Sequence, residues 1–442
     1  MNRRGALASG ALLLLAGCVY YNALYNAERL YREGEGHRRA GADSLAAARY
    51  ADVVRKAAKG FREDPDGEWA DDALLLMGQA YLRLGELREA RAVLEDASRR
   101  AEGDEVRLRT LLHLGEAHVI AGDLERGIPL LNQALEGLPS GPLRAEGQLW
   151  RGRALLEVGR ADVGWWDLDQ AATEREVRME AALTRVLWAI RLGSRDRAQE
   201  GMNRLLTFGE AGPRVDSLAV LAHAAAGAWG PAAAAGLLSG ADSARWERTP
   251  RGMIRLTRAS LLREAGDSAG ASDLVRRVAD GIGPAAADAR LELAAWQLGQ
   301  ARDLVEARAA LPLLLPALAS AEVARRVDDL QEMIAWAERG LSEPLAWFAA
   351  GEVARDQLAA PSLARGLFLA YVDAAPSDPW IVKALLAALD VTGDEGDKAW
   401  LRGRLEGRGE SPYVLAARGE PALGLEGLEE ELARRLQRLR TR

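Results

Sequence analysis

The stretch Leu74–Ala97, LLLMGQAYLRLGELREARAVLEDA, decides the fold. Leu74, Met77 and Tyr81 stand at i, i+3 and i+7, one face of a helix. Gly78 and Ala90 are small where two helices would have to approach closely. Gly85 falls where the first helix should end, a place where left-handed backbone costs glycine little. Leu94 and Ala97 resume helical spacing on a second helix. The segment therefore predicts a helical hairpin. One such hairpin cannot bury its apolar face alone, so copies must stack.

Working outward, the key positions return at an interval of 37 residues, twice. Gly78, Gly115 and Gly152 share a register. So do Gly85, Gly122 and Gly159; Ala90, Gly127 and Gly164; Leu94, Leu131 and Leu168; Ala97, Ala134 and Ala171. The second copy keeps Leu111, Leu114 and His118 and ends at Pro139. In the third, Gln148 and Arg151 stand where large apolar residues are expected. This pattern resembles the tetratricopeptide repeat (TPR), whose unit is a pair of antiparallel helices. The resemblance implies an all-α superhelical solenoid of about ten TPR-like hairpins over most of residues 43–405.

Looser copies follow. Trp188, Gly193, Ala198 and Leu205 outline one, and Leu256 to Val278 another, with Gly266 and Ala271. Residues 286–318 hold a helix pair with an insertion near Ala301 to Glu306. Ala364, Phe368, Tyr371 and Pro376 match a second helix, after Trp347 and Gly351. No charge occurs between Asp216 and Asp242, but the segment is mostly alanine and glycine and is broken at Gly230-Pro231. It reads as a buried helix pair rather than a membrane span.

The beginning of the chain reads as a targeting segment. Arg3 and Arg4 precede a short apolar run, Gly5 to Leu15, and then Leu15-Ala16-Gly17-Cys18. This is similar to a bacterial lipoprotein signal. The resemblance implies cleavage before Cys18 and a covalent lipid on Cys18, against the plainer reading of an ordinary buried cysteine. Val19, where an aspartate would retain such a protein at the inner membrane, implies the periplasmic face of the outer membrane. Tyr20, Tyr21, Tyr25 and Tyr31 follow. They read either as an aromatic belt at the membrane interface or as the buried face of a first helix.

The expected organisation is then a signal peptide over 1–17, an acylated N-terminus and first helix over 18–42, and a repeat array over 43–206. A degenerate array follows over 207–405, and a glycine-rich linker with a terminal amphipathic helix over 406–442. In that helix Leu425, Leu428, Leu432, Leu436 and Leu439 form a stripe. It reads as a cap over the last apolar face or as a docking helix for a partner.

No constellation for catalysis is apparent. There is no Walker loop and no nucleophile elbow, and Gly34-Glu35-Gly36 sits in a charged turn, the wrong context for a dinucleotide. His113 and His118 are five apart, which is not the zinc spacing of i and i+4. With one cysteine, no cysteine-based metal site exists within the chain. The net charge of −7, with signs interspersed, argues against nucleic acid. Trp165 and Trp166 are adjacent and cannot both face one core.

The reading excludes an enzyme and expects no cofactor beyond the lipid, and no metal. It points to a protein-interaction scaffold in an envelope assembly or secretion machine, distantly similar to the lipoprotein of outer-membrane β-barrel assembly. The partner would be another envelope protein, held in a groove along the first helices. Leu75, Gln79, Leu82 and Arg83, then Leu112, Glu116 and Val119, then Leu149, Arg153 and Leu156 are the expected lining. The alternative is an outer-membrane lipoprotein that binds a glycan or other nutrient. Such proteins carry long irregular insertions, and none is apparent in the sequence.

Overall fold

In a computed structural model, residues 23–209, 214–243, 246–406 and 408–440 are described. Cys18, Tyr20 and Tyr21 lie outside them. The chain is all-α among these residues, an array of helical hairpins in two compact units that part after Ile254.

In the first unit α1 (residues 23–39) pairs with α2 (Asp43–Glu63). The hairpins α3 (Ala70–Leu84)/α4 (Leu87–Arg100), α5 (Asp104–Ile120)/α6 (Leu124–Gly137) and α7 (Pro142–Glu157)/α8 (Ala161–Ala171) are the register-locked copies. Then come α9 (Arg178–Arg191)/α10 (Arg195–Thr207) and α11 (Val215–Trp229)/α12 (Pro231–Leu237). The repeated glycines explain the register. A Cβ on Gly78 would stand 2.4 Å from the Leu94 side chain, and one on Gly115 2.7 Å from Leu131. The hairpin closes only where a first-helix residue has no side chain. Gly85, Gly122, Gly159, Gly193 and Gly266 all adopt positive φ, from +71° to +87°, and end their first helices.

The third copy replaces an apolar contact with a charged one. Met77 and Val93 belong to one apolar cluster, and Leu114 and Leu130 to another. In the same register Arg151 donates two hydrogen bonds of 2.7 Å to Asp167, whose side chain is fully buried. Arg151 also donates to Asn132 Oδ1. A bidentate, charge-assisted pair is the geometry that a buried charge requires.

The uncharged segment is the α11/α12 pair, hinged at Gly230-Pro231. No described helix is long and apolar enough to cross a membrane. Trp165 is buried beneath Arg197, while Trp166 is 53% exposed.

The second unit begins within α13 (Arg248–Glu264) and continues with α14 (Ser268–Ala279) and α15 (Pro284–Gln300). Residues 301–320 depart from the expected regular pair. They form only α16 (Leu304–Arg308), α17 (Leu311–Leu314) and a 3₁₀ turn, because Pro312 and Pro316 interrupt the helical ladder. The insertion expected near Ala301 to Glu306 is therefore present and runs on through the 3₁₀ turn at Leu315–Ala317. After α18 (Ala321–Arg339), α19 (Leu345–Asp356)/α20 (Pro361–Ala374) and α21 (Ile381–Asp390)/α22 (Glu395–Glu406) resume the hairpin pattern. The expected linker holds a short α23 (Pro412–Ala417), anchored by buried Tyr413 and Val414.

α24 (Leu425–Arg440) folds back across α19 and α21. Leu432 and Leu439 are buried, Trp380 Nε1 donates to Leu428 O, and Arg435 stacks on the Trp380 ring at 4.8 Å. The leucine stripe thus covers first helices of its own unit.

Candidate binding site on the inner face of the first unit

First helices of successive hairpins touch one another: α3 meets α5, α5 meets α7, and α7 meets α9. Second helices α4, α6 and α8 pack on the next first helix instead. The first helices therefore converge on an inner face.

The ten residues expected to line a groove there fall into separate registers, and several are taken up by packing within the chain. Leu82, Val119 and Leu156 face their own second helices, opposite Ala90, Gly127 and Gly164. A Cβ on Gly127 would stand 2.8 Å from Val119, and one on Gly164 2.8 Å from Leu156. Leu75 and Leu112 are buried against the following hairpin, Leu75 beside Leu114 and Ala117, Leu112 beside Leu143 and Gly147. Leu149, in their register, is 4% exposed but does border a cavity on the inner face. The reason is geometric. A first helix is gripped by its own partner and by both neighbouring hairpins, so apolar positions all round it are core. Gln79, Glu116 and Arg153, one residue after each repeated glycine, and Arg83 remain on the inner face.

There they enter a polar network centred on Arg83. Its Nε donates to Glu35 Oε1 at 2.9 Å, Nη1 to Glu116 Oε1 at 2.9 Å, and Nη2 to Glu146 Oε1 at 2.6 Å. Arg38 donates to Glu35 Oε2 at 2.9 Å and to Glu180 Oε1 at 2.6 Å. Arg214 donates to the Arg38 carbonyl. Tyr50 hydroxyl donates to Glu35 at 2.7 Å. Residues from α1, α2, α3, α5, α7 and α9 meet in one cluster.

Glu35, Arg38, Glu146 and Glu180 were not found from the sequence. Glu35 stands within α1, not in a turn. Its neighbour Gly34 is needed because a Cβ there would stand 2.8 Å from the Tyr50 ring. The Tyr31 ring lies 5.7 Å from Tyr50, while Tyr25 is 50% exposed. Of the two tyrosine readings, the first-helix face describes Tyr31.

Burial alone would raise the Glu35 carboxyl. Arg83 and Arg38 outweigh it and hold the group at about 2. Burial likewise opposes ionisation of Glu116, and Arg83 and the His113 hydrogen bond bring it below the usual carboxylate range. His113 Nδ1 lies 2.9 Å from Glu116 Oε2, and its Nε2 lies 2.7 Å from Gln79 Nε2. A carboxylate only accepts, so Nδ1 is the donor and Nε2 accepts from the Gln79 amide. His118 is buried, with Nδ1 3.0 Å from Asp123.

His113, Glu116 and Glu146 each offer a ligand atom, all within 4.8 Å of one another. That is a metal-like grouping, but Arg83 donates to both carboxylates and already supplies the cation. A dication would have to displace a buried guanidinium.

Beside the network lies a cavity of about 290 Å³. Leu143, Leu149, Trp150, Arg153, Glu176 and Glu180 are among its walls. Arg153 stacks on Trp150 at 4.5 Å.

No known family and no curated relative matches the chain. Among solved structures it is similar to a tetratricopeptide repeat protein from Parabacteroides merdae, at 14% identity and TM-score 0.34 over 57% of this chain and 91% of that one. It is also similar to the P58(IPK) TPR domain, at 15% identity and TM-score 0.23 over 93% of this chain and 100% of that one. A third is the Naa15/Naa10 structure bound to HypK-THB, at 13% identity and TM-score 0.25 over 95% and 76%. No residue of this chain takes a role from them.

Proposed function

We propose that the protein is a non-enzymatic protein-interaction scaffold. In this reading a lipid on Cys18 anchors it to the periplasmic face of the outer membrane, within an envelope assembly or secretion machine. The observation that carries the reading is the inner face of the first unit. Its clustered carboxylates are each held by arginines of the same chain, so it offers shape and fixed charge rather than a reactive group. Leu15-Ala16-Gly17-Cys18 supports the anchor.

In-cell photo-cross-linking tests the scaffold. Gln79 is buried and unsuited. Glu176 is exposed at the cavity rim, and exposed Glu95 on α4 is the control. A discrete protein adduct from Glu176 but not from Glu95 is expected. No adduct from Glu176 or Arg153 would overturn the groove reading. Metabolic lipid labelling that persists in Cys18→Ala would remove the anchor.

A second reading, a saccharide ligand, is favoured by one cavity of the second unit. It measures about 790 Å³ and presents Trp296 beside Arg276, Arg290, Gln297 and Gln300, next to the irregular insertion. An aromatic face with planar donors suits a sugar ring and its hydroxyls. Saturable oligosaccharide binding that quenches tryptophan fluorescence, and is lost in Trp296→Ala, would establish it.

A further inference from the structure

Gln79, Glu116 and Arg153 occupy one repeated position, and the first two are satisfied: Gln79 and Glu116 both bond His113. Arg153 is the exception. Among the described residues its guanidinium makes no ion pair and no hydrogen bond, and it stacks on the Trp150 ring. Every other arginine of the cluster has a carboxylate: Arg83 has three, Arg38 has two, and Arg214 lies 3.7 Å from Glu180. Stacking on an indole face covers the plane of a guanidinium and leaves its in-plane N–H fork free. Arg153 borders a cavity whose other walls include Pro142, Leu143, Leu149 and Val177.

We infer that this cavity binds a single carboxylate attached to a compact apolar or aromatic body. The carboxylate completes Arg153 with two parallel hydrogen bonds, and the apolar part lies against Trp150 and the leucines. Burial disfavours the charged form of Arg153, with Glu180 and Glu116 only partly compensating, which agrees with a missing counter-ion.

The same walls also set a limit on charge. Glu35, Glu146, Glu176 and Glu180 border the cavity, and the first, second and fourth are already neutralised by arginines. Glu176 is exposed and without an ion pair among the described residues. A second negative charge on the ligand would face Glu176 with no cation left to pair it, so a monoanion is selected. The volume of about 290 Å³ suits one amino-acid-sized group. The inference deepens the scaffold reading if the carboxylate belongs to a polypeptide, but it stands on the cavity alone.

Calorimetric titration of the full chain with 3-phenylpropionate tests it, against 3-phenylpropionamide, inorganic phosphate and the capped peptide acetyl-Leu-Glu-Leu-amide. The acid is expected to bind at least about tenfold tighter than its amide, and phosphate not to compete. Arg153→Gln should abolish the preference for the acid, and Arg153→Lys should keep part of it, since charge remains without the fork. Tighter binding of the peptide identifies a polypeptide source; binding of the acid alone identifies a free small molecule. Equal binding of acid and amide, no binding of either acid or peptide, or a preference unchanged in Arg153→Gln would overturn the inference. Should Arg153→Gln not fold, Trp150→Leu provides the second reading, with loss of affinity expected for the aromatic acid. Failure here with a cross-link still obtained at Glu176 would leave the scaffold intact.

Discussion

The two units cover their first helices by different means. In the first, α1, α3, α5, α7 and α9 are tied by charge, with Arg83 and Arg38 between four carboxylates. In the second, α24 lies over α19 and α21 mainly with leucines, a Trp380 hydrogen bond and one stacked arginine, beside a part-exposed Lys383–Glu429 pair at its edge. Packing alone dictates where hairpins meet, and there both units use the same small residues. Gly351 admits Phe368 as Gly78 admits Leu94. The inner faces are not bound by that rule, and each found its own chemistry. Charge is directional and titratable; leucine is neither.

The largest test removes the central charge. Arg83→Gln strands Glu116 and Glu146 and weakens Glu35, and should cost about 3–5 kcal/mol in chemical denaturation. A cost below that of any single leucine in α24 would break the comparison. Leu432→Ala comes next, at about 3 kcal/mol, with little dependence on salt, since it removes only buried apolar contact.

Acid should separate the units further. Glu35 is depressed from 4.5 to about 2 in the folded chain. Its stabilisation is therefore present above about pH 4.5 and is lost as pH falls toward 2, on the order of 2 kcal/mol after solvent screening. Glu352 on α19 is shifted the other way by burial, so its contribution is present at low pH and fades as pH rises through its folded value. Hydrogen-exchange protection at pH 3 should fall in α3 and α5 before α19 and α21. Simultaneous loss would show that the network does not set the stability of its unit. The smallest effect is expected from Trp166→Ala, within about 0.5 kcal/mol by thermal melting, because the ring is 53% exposed.

Much of the fold was legible because steric rules repeat. Gly78, Gly115 and Gly152 announce close helix contacts, and Gly85, Gly122 and Gly159 announce helix ends. Gly230-Pro231 marked the α11/α12 junction. The inner face was less legible. Leu75, Leu82, Leu112, Leu149 and Leu156 recur with helical spacing, yet spacing cannot say whether a neighbour or a partner covers them. Glu35 and Arg83 lie 48 residues apart, and no local pattern links them. One signal was present. The polar run Gln79, Glu116, Arg153 behind each repeated glycine marked a face held by something other than apolar packing. The substitution of Arg151 and Asp167 for an apolar pair was likewise visible only once both were seen in one register.

The position of α24 along the chain has a consequence for biosynthesis. α19 and α21 are synthesised before Leu425–Arg440, and until that helix arrives the Trp380 indole lacks both its hydrogen-bond acceptor and the arginine over its ring. That interval leaves an apolar surface bare, the condition that recruits holdase chaperones or invites aggregation. The first unit matures in the other direction. Glu35 emerges first, and Arg83, Glu116, Glu146 and Glu180 arrive in order, each adding a tie to what is already folded. One region tightens as it grows, while the other waits for a later helix to arrive.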